Sequence, residues 1–179
     1  MKQFFLGALA AAIVLPLCVY CYLWMGLFPA GADSAPGAFE KRMASLALNA
    51  HVARNAPKGP PPVQANEETL LAGVKVYKNH CEGCHGAAVP QPNPFAEAMN
   101  PPIPQFGGRT RPFGETEGEL FYFIKHGIRF SGMPAYGKPP SPMLSDEDIW
   151  KVALFLKTLP TPPAAVDAAW KSTEPTTPK

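Results

Sequence analysis

The stretch Cys81-Glu82-Gly83-Cys84-His85 decides how this chain is read. It spells C-x-x-C-H, the attachment signal for a covalently bound c-type haem. Two thiols three positions apart can each form a thioether to a haem vinyl group. The histidine that follows brings an imidazole to one face of the iron. A bare C-x-x-C is less specific, because it also serves dithiol redox sites and half of many zinc sites. The rest of the sequence separates these readings. The other two cysteines, Cys18 and Cys21, sit inside an apolar run, so a second zinc-ligand pair is missing. The strand–helix alternation that surrounds a thioredoxin-like motif is missing too. Cys81, Cys84 and His85 are therefore expected to hold one covalent haem c, with His85 as an iron ligand.

Helical signals surround the motif. Asn66 can cap a helix whose first turn carries Glu67 and Glu68, acids that suit the positive helix end. Leu70, Leu71, Val74 and Tyr77 form its apolar face, and it runs directly into the motif. A second helix starts at Thr116 with Glu119 three residues on, a capping box. It carries Leu120, Phe121, Phe123 and Ile124, and Gly127 ends it. A third starts at Ser145 with Asp148 three residues on. Ile149, Val152, Ala153 and Leu156 make its apolar face, and Pro160 closes it. The segment from Pro90 to Gly114 is rich in proline and glycine and reads as loop. No stretch reads as a convincing strand.

Three helices in this order, with the haem motif after the first and a methionine loop before the last, resemble the class I cytochromes c. The resemblance covers residues 67–160. It implies one-electron transfer at an iron held by histidine and methionine, the thioether raising the potential. Among Met99, Met133 and Met143, Met133 stands in the family's G-M-P context within His126–Gly137, HGIRFSGMPAYG. Met133 is thus the expected second iron ligand, with His85 the first. His80 and His126 are the rival ligands. His80 adjoins Cys81, and His126 sits at a helix end, where the negative dipole favours it for other reasons. In the family the first and last helices cross closely, a small residue facing an aromatic. Gly73 and Tyr77 match the first helix, and Trp150 or Phe155 supplies the bulk opposite. A proline carbonyl orients the ligating imidazole in the family, and Asn100–Pro104 resembles that loop, with Pro101 or Pro102 as the candidate. Phe106, Phe113, Phe130 and Tyr136 are candidates for an apolar shell around the iron. Arg109 and Arg111 are candidates to pair with haem propionates.

Before this domain lie two other kinds of sequence. Phe4 to Phe28 is a run of 25 mostly apolar residues, and no charge occurs from Gln3 to Ala32. A bilayer core takes about 20 helical residues, whereas a signal-peptide core is about 7–15. The run fits a span better than a signal cut after Ala30-Gly31-Ala32. Tyr20, Tyr22 and Trp24 lie toward its far end, where amphipathic rings prefer the interface. Lys2 alone precedes the span, which favours an inside N-terminus. Next, Phe39, Met43, Leu46, Ala50 and Ala53 recur at 4, 3, 4 and 3 residues, one face of a helix from about Ala38 to Asn55. That stripe is expected to lie on the haem domain, on the membrane surface or on a partner. Pro57–Pro62 (PKGPPP) then reads as a stiff spacer.

The expected fold is all-α: a cytochrome c-like three-helix haem domain preceded by a transmembrane helix and an amphipathic stalk helix. Residues 1–32 are the N-terminal membrane anchor or uncleaved signal, and 33–66 the stalk helix and Pro-rich linker. Residues 67–160 are the cytochrome c domain, and 161–179 a Pro/Thr-rich tail. The net charge of +2 leaves no nucleic-acid footprint. Residues 67–160 hold nine Lys/Arg against ten Asp/Glu, so the lysine ring of a strongly basic carrier is absent from the count. The expected protein is a one-electron carrier, not itself an enzyme. It is single-pass in a bacterial inner membrane with its haem domain on the periplasmic side, where haem attachment takes place. The alternative is a haem-bearing subunit fixed in a larger membrane oxidoreductase or respiratory complex. Its partners are then the membrane and redox proteins.

Overall fold

A computed structural model describes residues 1–107, 116–140 and 142–172, and among these the regular structure is entirely helical. The helices are α1 (Lys2–Trp24), α2 (Ala38–Asn55), α3 (Glu67–His80), α4 (Glu82–His85), α5 (Pro94–Ala98), α6 (Glu117–His126), α7 (Asp146–Thr158) and α8 (Ala164–Lys171). Arg109, Arg111 and Phe113 lie outside the described residues. The chain divides into two units, Met1–Ala35 and Pro36–Lys179.

In the first unit, α1 is one apolar helix of 23 residues with Pro16 inside it. At 1.5 Å per residue it is about 35 Å long, enough to cross a bilayer core.

In the second unit, the caps read from the sequence are in place. The Asn66 side chain accepts from the Thr69 backbone N–H at 2.8 Å. Thr116 and Glu119 form a reciprocal capping box, with bonds of 3.2 and 3.1 Å. Ser145 accepts from the Asp148 N–H at 3.1 Å. Each such cap satisfies an otherwise orphaned helix donor and contributes about 1 kcal/mol. Gly127 ends α6 at φ 65°, a left-handed conformation that suits glycine.

The core forms where α3 crosses α7 and α8, with α6 packed on α7. Gly73 permits the α3–α7 crossing. A β-carbon there would run into the Lys151 carbonyl and lie 2.9 Å from Phe155 Cβ. Phe155 is therefore the bulk opposite Gly73. Trp150 faces elsewhere and stacks on Phe121 with centroids 4.2 Å apart. Tyr77 meets the edge of Phe155 at 5.6 Å.

Two expectations need correction. The segment after Thr161 is not simply a tail, because α8 belongs to the core. Its Val166 and Trp170 are buried, and Trp170 meets Tyr77 at 6.1 Å and Phe155 at 5.6 Å. Of the three places expected for the α2 stripe, the haem domain is excluded, because a different face packs there. Val52 and Ala56, with Leu48 beside them, pack against Phe123, Tyr122 and Ile128. Phe39, Met43 and Leu46 point outward. Two opposed apolar faces share this helix, and periodicity alone finds a face without saying which is buried.

Candidate haem site

The attachment motif is the junction of α3 and α4. Chain direction turns at Cys81, which ends one helix and begins the other. Cys84 and His85 both bond back to the Cys81 carbonyl, at 3.1 and 2.8 Å, so the five residues form one tight turn. Gly86 leaves that turn at φ 81°. The carbonyl it presents accepts the Tyr77 hydroxyl at 2.6 Å. Burial, above all, drives the Tyr77 phenol far above its ordinary pKa, so it remains a donor at any working pH.

His85 is held from two sides. Its Nδ1 lies 2.9 Å from the Pro104 carbonyl, which fixes the tautomer with the proton on Nδ1 and leaves Nε2 with a free lone pair. Its ring stacks on Phe106 at 4.7 Å with 1° between planes. Burial lowers the imidazole pKa, an effect that the Pro104 bond partly offsets. A neutral imidazole is the form that ligates a metal. Two further bonds brace the loop that supplies Pro104. The Phe106 N–H donates to the His85 carbonyl at 2.8 Å, and Gln105 Nε2 donates to the Cys84 carbonyl at 2.9 Å. The orienting carbonyl thus comes from the expected Asn100–Pro104 segment but from Pro104, not from Pro101 or Pro102.

Both motif thiols are free. Burial, then the nearby Cys84, pushes the Cys81 pKa up to about 12. Dithiol redox sites instead depress it, so this environment does not suit a reactive thiolate. The motif residues also do not converge as zinc ligands do. Among the described residues, no group of three or more His, Cys, Asp or Glu side chains is placed to hold a metal ion together. Two free thiols and an imidazole with one free nitrogen fit a covalent haem.

Met133 sits in the loop between α6 and α7, half-buried against the same core that Cys81 packs on. Short bonds shape this loop. The Met133 N–H donates to Ser131 Oγ at 3.2 Å, and the Ile128 N–H donates to the Met133 carbonyl at 3.2 Å. Tyr136 ties it to the motif, its hydroxyl donating to the His80 carbonyl at 2.7 Å, beside Cys81. Met99, a rival in the sequence, places its terminal methyl against Gly132, so both methionines gather near one turn. Both rival histidines make ring contacts. His80 meets the Tyr136 ring at 6.3 Å, and His126 lies on Tyr122 at 4.3 Å. Of the proposed apolar shell, Phe106 is buried on His85. Phe130 is almost fully exposed and holds a left-handed φ of 59°. Sequence reasoning missed Gln105 and the two tyrosine hydroxyls, whose bonds span 21, 9 and 56 residues.

The family described as cytochrome c oxidase, cbb3-type, subunit III matches residues 68–156. No curated protein sequence matches the chain. Among solved structures, a chain of a reducing HAO-like protein complex from Kuenenia stuttgartiensis is similar at 25% identity, with a TM-score of 0.45. The likeness covers 61% of this chain and 54% of that one, so the present chain spans about half the length of its structural relative. With the attachment motif seated as described and the family match extending from α3 nearly to the end of α7, residues 68–156 form a c-type cytochrome domain.

Proposed function

We propose that this protein carries single electrons through one haem c, bound by thioethers from Cys81 and Cys84 and ligated by His85 and Met133. One observation carries the reading: His85 Nδ1 is engaged by Pro104 while its ring lies flat on Phe106, which leaves Nε2 free for iron. The haem supplies reversible one-electron chemistry at a potential set by its axial ligands and surroundings. The protein's residues supply the rest. Pro104 orients the proximal imidazole, and Phe106 shields its face from water. The Ile128–Met133 turn holds the thioether sulfur in place, and Tyr136 keeps that turn anchored to the end of α3.

The chain is tethered by α1 in a bacterial inner membrane, with the haem domain on the periplasmic side. Tethering converts a diffusive encounter with membrane redox partners into a local one. A second reading is a subunit fixed in a larger membrane oxidoreductase. It is favoured by the family match, whose description is that of an oxidase subunit.

The test is ligand competition at the iron. With both axial positions filled, the reduced protein resists carbon monoxide at neutral pH. Met133→Ala binds it rapidly and loses the weak far-red sulfur–iron absorption, whereas Met99→Ala retains that absorption. Loss of the band in Met99→Ala with an unchanged Met133→Ala spectrum would transfer the ligand role to Met99.

A further inference from the structure

Helix α2 has an apolar face that the domain does not use. Val52, Ala56 and Leu48 look toward α6. At about 100° per residue, Phe39, Met43, Leu46, Ala50 and Ala53 gather on the opposite side. The large ones are open, with Phe39 77%, Leu46 61% and Met43 38% exposed. Arg42 and Arg54 fall on the two edges of this stripe, each about 60° from its centre. Only 13 residues, 25–37, separate the last residue of α1 from the first of α2. Even fully extended they span at most about 45 Å.

We propose that the outward face of α2 lies in the surface of the lipid bilayer. Phe39, Met43 and Leu46 enter the boundary between headgroups and acyl chains, and Arg42 and Arg54 reach lipid phosphates. The inference rests on reading α1 as a span and extends it. Two observations favour lipid over a protein partner. The stripe follows, after 13 intervening residues, an apolar helix long enough to cross a bilayer. Its edges are cationic and match anionic headgroups.

The other face of α2 makes this attachment consequential. His51 Nε2 and the Tyr122 hydroxyl are 3.0 Å apart, and Val52 and Ala56 are buried beside Phe123. The start of the PKGPPP segment is held as well, because Gly118 leaves room only for the Pro57 carbonyl against it. A helix fastened to lipid on one side and to α6 on the other orients the haem domain on the membrane, instead of letting it swing on a free spacer.

The experiment uses full-length holoprotein in vesicles of phosphatidylethanolamine and phosphatidylglycerol that contain a lipid with a diazirine near the glycerol end of its acyl chain. After illumination, adducts are mapped by peptide mass spectrometry. Adducts at Phe39, Met43 and Leu46, together with adducts within residues 4–24, are expected. The double variant Phe39→Ser/Leu46→Ser should lower adducts in residues 38–47 at least about tenfold, as removal of two large apolar groups from the interface requires. Its haem spectrum should be unchanged. Adducts confined to residues 4–24 would overturn the surface helix and leave the span standing. Adducts in residues 38–47 with none in 4–24 would support the surface helix and sink the span.

Discussion

Trp170→Ala tests whether α8 is part of the haem domain. Trp170 is 2% exposed and wedged edge-on between Tyr77 and Phe155. Removing a buried indole costs about 3–5 kcal/mol, from lost transfer energy plus the cavity left behind. The indole N–H finds no acceptor among the described residues, which already penalises the native state. The lower end, about 3 kcal/mol, is therefore expected. For a domain of about 100 residues each kcal/mol moves Tm by about 4–8 °C, so the holoprotein should melt about 12–24 °C lower. Trp170→Phe keeps an aromatic wedge and removes the unpaired donor, so it should cost under about 1.5 kcal/mol. Melts followed by far-ultraviolet circular dichroism compare the three proteins. If Trp170→Ala melts with the parent, or if Trp170→Phe is as damaging as the alanine variant, the packing assigned to α8 is wrong.

Further predictions concern the helix crossing and protonation. Gly73→Ala drives a methyl group into the Lys151 carbonyl and Phe155. Overpacking of about 1–3 kcal/mol outweighs the roughly 1 kcal/mol gain in helix propensity, so denaturant midpoints should fall. A midpoint that rises contradicts the close approach of α3 and α7. Burial first, and then Lys125, lowers the His126 imidazole below its usual 6.5, against an opposing pull from Asp146. The native state thus holds this proton less readily than the unfolded chain does. The group's contribution to stability is intact above pH 6.5 and is lost as the pH falls through the depressed native value. Proton NMR titration of the reduced protein should give a His126 midpoint below 6.5, lowered further by Asp146→Asn. A midpoint above 6.5 contradicts that environment.

Local chemistry made much of the site legible in advance. The attachment motif and the caps at Asn66, Thr116 and Ser145 follow from short-range rules that hold wherever the chain goes, whereas the Gly73 contact, with residues 78 and 82 positions away, was implied only by the resemblance to class I cytochromes c. What stayed hidden depends on the path of the chain through space. Pro104 rather than a neighbouring proline reaches His85, because the loop is braced by Gln105 and Phe106, and spacing does not encode that path. The α8 helix was masked by the prolines around it. Its signals were short: Val166 and Trp170 one turn apart, with Asp167 and Lys171 paired at 2.7 Å over the same interval. On α2 the stronger periodic stripe faces outward, while Val52 and Ala56 make the inner contact through only two buried positions.

Intact mass spectrometry of protein purified from a host that matures c-type cytochromes, run under denaturing conditions, probes the central claim most directly. Peptide mapping locates whatever the chain retains. One iron porphyrin bound through both Cys81 and Cys84 is the expected result. An unmodified polypeptide with both thiols free, or a different metal retained at that turn, would contradict it.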